Sequence, residues 1–459
     1  MIRHVAFSAL LLACHGAAPV TPPPAAGPTV TGHLALAPGA RVERTRGTLF
    51  VSWMPEANRK AFADHNLTPA LLLDIITRGT VVGEVDVGRD VPFTVHTGPG
   101  RIALVATVDV GRVGIQALLG GGDDTLSGLS EAFDAASGAA PAIAVSAQPP
   151  QKRRELCQGD RLVLEQIDAP EVVGTVGNPT SRRVCVRLPK SYAERSSARF
   201  PVIYALPGLG STDAAVIASY HLEPDDIIVV SVDTSSKTGS TYLVDSPTSG
   251  HWDSFFANKL IPLIDAHYRT IARREGRALV GQSTGGFNSV SYGLRHPELF
   301  SVIGASSPDG LDWPVWLAAS KRWVVDFARV EHGLGGAGQF ISYAADWSPR
   351  PGGGYDWPFD ESGQVVDSVM ARWIAHSPTT WVRDRERVGA LKVFSGHIYL
   401  TVGDHDEFGL RPPTEAFSKT LTAAGIANEL VVVPGGHGGH AVRLAAIAKF
   451  CAAKLEPAK

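Results

Sequence analysis

The chain has 459 residues, 44% hydrophobic and 19% charged, with a formal net charge of −3. Its length sets a prior of two to three domains, and its apolar share is enough for sizeable cores. The near-neutral balance gives no basic surface for nucleic acid, so nucleic acid is set aside as a partner and function has to be found in sites.

In chain order, the first feature is a leader. Arg3 and His4 precede an apolar run from Val5 to Ala13, which ends at Cys14 and gives way to a Pro/Ala-rich stretch. A short charged segment followed by a short apolar one predicts export, and the run is too short to span a bilayer as a helix. Leu11-Leu12-Ala13-Cys14 also resembles a bacterial lipobox, in which Cys14 becomes a lipidated membrane attachment and residues 15–29 a tether. Leu12 stands where a smaller residue is more usual, so plain cleavage nearby is the alternative. The expected destination is the periplasm, the outer membrane or cell surface, or the medium.

Residues 30–136 read as a small all-β, sandwich-like domain. "GTLFVSWMP", "TVVGEVDVG", "VPFTVHTG" and "RIALVATVDVG" are β-branched or alternating runs divided by Gly, Pro and Asp. Glycan binding, packing on the next domain and a spacer role are all open for it. "GGGDDTLSG" (120–128) resembles one calcium-binding nonapeptide repeat, but such repeats complete their cage from a stacked neighbour and no second copy follows. It reads as a turn. Residues 137–155 have the composition of a linker.

From residue 156 the pattern becomes strands alternating with helices. "RRVCVRLP", "PVIYAL", "IIVVSVD", "RALV", "SVIGAS", "HIYLTVG" and "ELVVVP" are strand-like, and in "DSFFANKLIPLIDAHY" Phe256, Leu260, Leu263 and Ile264 recur at helical spacing. Such alternation predicts an α/β domain with a mainly parallel sheet. Residues 308–390 interrupt it as an insertion holding seven of the nine tryptophans. Of the cysteines beyond Cys14, Cys157 and Cys185 flank two strand-like runs able to form a hairpin and are the preferred disulfide pair; three free thiols, Cys451 included, is the alternative. No Cys/His spacing suggests zinc, and no metal or cofactor is expected.

"RALVGQSTGGFNSV" (277–290) places Ser283 between glycines where a strand runs into a helix. With 48 glycines in the chain such a motif can arise by chance, so its weight depends on partners. A nucleophile elbow needs an acid and a histidine after later strands, in that order. "HIYLTV" is followed by Gly403-Asp404-His405-Asp406-Glu407-Phe408, and "ELVVV" by Pro434-Gly435-Gly436-His437-Gly438-Gly439-His440. Both turns lie at carboxyl ends of strands, where this class of sheet binds ligands. The acid is open among Asp404, Asp406 and Glu407, and the base between His437 and His440. Backbone N–H groups of Thr284 and of Leu209, in "YALPGLGS", are the expected oxyanion donors.

Taken together, "RRVCVRLPKSY", "FPVIYALPGLGS", "SPTSGHWDSFFANKLIPLIDAHYRT", "HPELFSVIGASSP", "YLTVGDHDEFGL" and "VVVPGGHGGH" resemble the esterase D-type putative esterase family of α/β-hydrolases. That group includes S-formylglutathione hydrolases, feruloyl and enterochelin esterases and mycolyltransferases. The resemblance covers most of residues 156–459 and implies an α/β-hydrolase fold. Its Gly-x-x-Asp-x-Phe arrangement falls on Gly403, Asp406 and Phe408, and its histidine, after a glycine pair, falls on His437. Many members have His-Gly in the oxyanion loop where this chain has Pro207-Gly208, and no aromatic residue follows soon after His437.

The expected function is an exported serine esterase acting through a Ser283 acyl-enzyme with Asp406 and His437, on a small-molecule or polysaccharide-linked ester. Acyl transfer to an alcohol or sugar is the alternative; a catalytically silent glycan- or partner-binding lipoprotein is the third. Trp313, Trp316, Trp347 and Trp357 are either the core of the inserted cap, the commoner role for such residues, or an aromatic wall for substrate.

Overall fold

The computed structural model describes residues 27–40, 42–64, 68–110, 114, 125–147, 157–220, 222 and 225–459, without the side chains of Pro69, Arg322 and His440. The leader with Cys14, residues 15–26 of the tether, residues 120–124 of the Gly/Asp stretch and residues 148–155 of the expected linker lie outside them.

The N-terminal unit is built on strands β1 (Thr29–Leu36), β2 (Arg46–Pro55), β3 (Thr80–Asp86), β4 (Val91–His96), β5 (Arg101–Asp109), β6 (Thr125–Leu129) and β7 (Ile143–Ala147), in the order β3-β2-β5-β6-β7-β1-β4. Alternate residues of β1 and β4 are buried, the period that a half-buried strand requires. Val30, Leu34 and Phe93 from one half of the sheet meet Leu49, Leu104 and Leu126 from the other in a single core.

Two features correct the sequence expectation. β7 lies inside the stretch assigned to the linker: Ile143 and Val145 are buried with Ala144 exposed between them, an alternation hidden by its Ala/Ser/Pro-rich surroundings. The unit is also not all-β, because helices α1 (Glu56–Ala63) and α2 (Pro69–Thr77) follow β2. Thr68 starts α2, its Oγ1 accepting the Leu71 N–H at 3.2 Å, with proline in the first turn. Leu71 and Ile75 pack on Met54, Ala103 and Val105 of the sheet. Leu72, Leu73 and Ile76 join the core of the following unit. Its apolar residues thus serve two cores, one on each side of the helix.

The second unit contains β8 (Leu162–Asp168), β9 (Ser181–Arg187), β10 (Val202–Leu206), β11 (Ile228–Val232), β12 (Arg277–Gln282), β13 (Val302–Ser306), β14 (Ile398–Gly403) and β15 (Glu429–Val433). They run in the order β15-β14-β13-β12-β10-β11-β9-β8. β10 through β15 are mutually parallel, and β8 and β9 form an antiparallel edge. β11 lies to one side of β10 and β12 to the other, so strand order reverses there and a crevice opens at the carboxyl ends of β10 and β12.

Helices cover both faces. α3 (Asp213–Ser219) packs on one; the run Trp252–Phe255, Phe256–Leu260 and Ile261–His267 (α4) buries Phe256, Leu260 and Ile264 on the other. α5 (Thr284–Arg295) follows β12. Between β13 and β14 stand α6 (Trp313–Leu334), α7 (Gln339–Trp347), α8 (Asp367–Ala375) and α9 (Pro378–Arg383), which form the Trp-rich cap. α10 (Arg411–Ala423) and α11 (His440–Lys454) complete the unit. A disulfide joins Cys157 to Cys185 of β9, and Cys451 is buried and free. Among the described residues no helix is long and apolar enough to cross a membrane.

Candidate active site

Ser283 sits between the end of β12 and the start of α5 with φ 57° and ψ −126°, a left-handed conformation that a non-glycine residue adopts only when its surroundings impose it. Backbone crowding imposes it here. A Cβ on Gly281 would stand 2.2 Å from the carbonyl carbon and oxygen of Gly285, and one on Gly285 would stand 2.1 Å from the Leu206 carbonyl oxygen. Only glycine lets strand, turn and helix approach this closely. The Ser283 N–H is held by the Ser306 carbonyl at 3.0 Å, which ties the turn to β13.

The turn after β14 brings its three acids to different partners. The Oδ2 of Asp406 lies 2.9 Å from His437 Nδ1, and its Oδ1 accepts the Phe408 N–H at 3.1 Å. Glu407 reaches the backbone instead, accepting the His437 N–H at 2.6 Å. Asp404 accepts the Gly435 N–H at 2.9 Å and pairs with the exposed ring of His405. Burial alone would raise the Asp406 carboxyl; hydrogen bonding and charge from His437, with help from Ser307 and the Phe408 amide, outweigh it and hold the group below its ordinary value. An ionised carboxylate only accepts, so in the neutral ring the proton lies on Nδ1 and Nε2 keeps its lone pair. The Gln282 amide nitrogen, 3.2 Å from Nε2, meets that lone pair as a donor.

Arg443 of α11 fastens the histidine loop. Its guanidinium donates to the carbonyls of Gly436 at 2.8 Å, His437 at 3.2 Å and Gly438, and to Ser307 Oγ. The two loops can meet because position 403 is glycine: a Cβ there would lie 2.3 Å from the Gly435 carbonyl oxygen.

Ser283, His437, Gln282, Gly208 and Leu209 line one cavity of about 300 Å³. Gly208 and Leu209 follow β10 across the strand-order reversal, and a Cβ on Gly208 would lie 3.6 Å from Ser283 Cβ. Thr284 is the first residue of α5, where a helix leaves its N–H groups outside its own ladder.

Asp309 is a site residue that the sequence analysis missed. Ser283 Oγ donates to its Oδ1 at 3.3 Å, while Thr284 Oγ1 at 2.9 Å and the hydroxyls of Tyr242 and Tyr343, each at 3.0 Å, donate to its Oδ2. Burial raises this carboxyl above its ordinary value despite those donors. Its one sequence signal is its place, three residues beyond the carboxyl end of β13.

Of the four tryptophans considered as a substrate wall, Trp316 lines the cavity and Trp313, Trp347 and Trp357 do not. Trp313 and Trp347 are buried in the cap, where both pack against Tyr343 and Trp373, and Trp357 stacks on His332. Trp316 is held by its Nε1–H, which donates to the Phe408 carbonyl at 2.8 Å.

The sheet order, the elbow on β12 and the loops gathered around it define an α/β-hydrolase. Residues 178–443 match the family described as "Putative esterase", and the chain belongs to that family. It is 28% identical over 277 residues to esterase Rv1288 of Mycobacterium tuberculosis (strain ATCC 25618 / H37Rv), and equally to esterase MT1326 of strain CDC 1551 / Oshkosh. Each match takes in 55% of this chain and 52% of the relative, so the chain spans about half the length of the curated relatives it matches. Similar solved structures include a ferulic acid esterase (20% identity, 64% of this chain and 97% of that one, TM-score 0.45). Another is an S-formylglutathione hydrolase from Agrobacterium tumefaciens (17% identity, 64% and 95%, TM-score 0.42).

Proposed function

We propose that this protein is an exported serine esterase that hydrolyses a carboxylic ester through an acyl-enzyme on Ser283. The observation that carries the proposal is the shared cavity: Ser283 on its strained turn opens into the same space as His437, whose far ring nitrogen is held by the shielded carboxylate of Asp406. In this reading Nε2 of His437 removes the Ser283 hydroxyl proton as Oγ attacks the ester carbonyl carbon. Asp406 keeps the ring in that tautomer and stabilises the imidazolium that forms. The oxyanion takes the N–H groups of Leu209 and Thr284, and the imidazolium returns its proton to the departing alkoxide. Water then repeats the attack on the acyl-enzyme, with His437 again as base. Ser283 Oγ, which donates to Asp309 at rest, turns toward His437 for the attack.

Export rests on the leader, with Cys14 as the lipidated attachment point. The substrate class is a small-molecule or polysaccharide-linked ester. Fluorophosphonate labelling of the full chain, with the modified peptide mapped by mass spectrometry, tests the proposal without knowledge of the natural substrate. A stoichiometric adduct on Ser283 is expected, absent in Ser283→Ala, together with a loss of kcat of at least about 10⁴-fold. A folded protein that takes no adduct, or a loss below about tenfold, would point to another nucleophile or to none.

A further inference from the structure

The cavity at Ser283 has both polar and apolar lining residues. Beyond Ser283, His437 and Asp309, its second-unit lining includes the polar Ser211, Gln282 and Gln339 and the apolar Trp316, Phe327, Phe408 and Leu410. Leu72, Leu73 and Ile76 of α2 line it as well, although they belong to the N-terminal unit. Neither lysine nor arginine stands among these lining residues, so no permanently cationic side chain there would pair with a carboxylate or phosphate on the occupant.

α2 is fixed in this position. Ser52 Oγ donates to the Ile75 carbonyl at 2.5 Å, and the Arg78 guanidinium pairs with Asp74 at 2.9 Å while lying 4.7 Å from the centre of the Trp53 ring. Phe50 and Ile76, each 1% exposed, share one core with Trp313, Trp316 and Phe327. Gly333 of α6 admits Val81 of β3, since a Cβ there would lie 3.1 Å from Val81 Cγ2. The N-terminal unit is therefore packed on the cap and reaches the nucleophile's own cavity, which a spacer does not require.

We infer that the N-terminal unit is part of the acyl site: α2 supplies one wall of a pocket for an uncharged, apolar acyl group, and Leu72 and Leu73 set the acyl preference. The inference rests on the esterase reading above. The acyl group is the part of an ester that stays bonded to Ser283 Oγ while water replaces the alcohol. A wall continuous with Ser283 can hold that part through both steps, whereas the alcohol has to leave. A volume of about 300 Å³ lies at the small end of ligand pockets and suits a chain of several carbons.

The test compares kcat/KM for p-nitrophenyl octanoate and acetate in the full chain and in two double variants. Glutamine and methionine are both good helix formers of similar length, so Leu72→Gln/Leu73→Gln and Leu72→Met/Leu73→Met differ chiefly in polarity. The wild type should favour octanoate. The glutamine variant should lower the octanoate/acetate ratio by about tenfold or more, as loss of apolar burial implies, and the methionine variant should stay within about threefold of wild type. A wild type that favours acetate, or a ratio that the glutamine variant leaves within twofold, overturns the assignment while ester turnover itself stands. No turnover of either ester together with no fluorophosphonate adduct on Ser283 overturns the esterase reading, and this inference with it.

Discussion

Asp406 and His437, 31 residues apart, are joined by a 2.9 Å contact between Oδ2 and Nδ1, and the Asp406 side chain is closed to solvent. An asparagine at 406 would offer the ring a different hydrogen-bonding partner and lose the charge that, in the proposed mechanism, steadies the imidazolium. Asp406→Asn should therefore lower kcat by about 10⁴-fold. Asp404 holds only the Gly435 amide and an exposed imidazole, so Asp404→Asn should stay within about tenfold of wild type. Steady-state kinetics on one activated ester ranks the two, and the opposite ranking would move the acid to Asp404.

Gly281 gives a second prediction. The atoms its Cβ would meet are the Gly285 carbonyl carbon and oxygen at 2.2 Å, backbone that cannot swing aside as a side chain does. Gly281→Ala should displace Ser283 and lower kcat by at least about 10²-fold, the scale expected for a misplacement of about 1 Å. Turnover within threefold of wild type would show that the elbow does not depend on this approach.

The disulfide closes a 28-residue separation between Cys157 and Cys185. Loop closure of that size is worth about 2–4 kcal/mol. The double variant Cys157→Ala/Cys185→Ala should lose that much unfolding free energy in a urea titration, with a lower midpoint, and reductant should lower the wild-type midpoint without moving that of the variant. Equal midpoints for wild type and variant would mean that the bridge does not form in solution.

His376 supplies a pH dependence. Its ring stacks on Trp347, with centroids 5.5 Å apart and planes 8° from parallel. Burial, then the charges of Arg295 and Arg372, lower its pKa from 6.5 to about 4. A group depressed in this way stabilises the fold fully above the unfolded value and loses that contribution as the unfolded chain takes up the proton. Stability should thus fall between about pH 6.5 and pH 4, by at most ~3 kcal/mol from this residue. His376→Gln should flatten the melting temperature across that window; an unchanged slope would remove His376 as the cause.

The α/β sheet was legible because buried parallel strands are short apolar runs and the helices between them repeat at another period. Ser283 was legible for a similar reason, since the glycines that permit its turn are its near neighbours in the chain. The acid was not separable by residue type: Asp404, Asp406 and Glu407 share one turn, and which of them meets the ring depends on how that turn folds against Gly435 and Gly436. α2 is hard to read in the sequence because the leucines and isoleucines of "PALLLDIIT" serve two cores, and a helix covered on two faces shows no single amphipathic stripe. Thr68 before Pro69 was the signal to read. β7 was lost in a linker-like composition, and the tryptophans announced a cap without saying which ring faces the cavity.

The sequence by itself determined the features encoded within a turn or a strand: the fold class, the elbow at Ser283, and the family pattern that selects Asp406 and His437. Only the tertiary structure decided that Asp309 meets Ser283, that Trp316 alone of the four tryptophans considered lines the cavity, and that Leu72 and Leu73 line it together with Ser283. The physical reason is range. Backbone sterics and hydrophobic periodicity act over a few residues and leave a mark in the order of the chain. Contacts between residues 26 to about 210 positions apart depend on how the loops, the cap and the N-terminal unit pack over the sheet, and no local pattern records that.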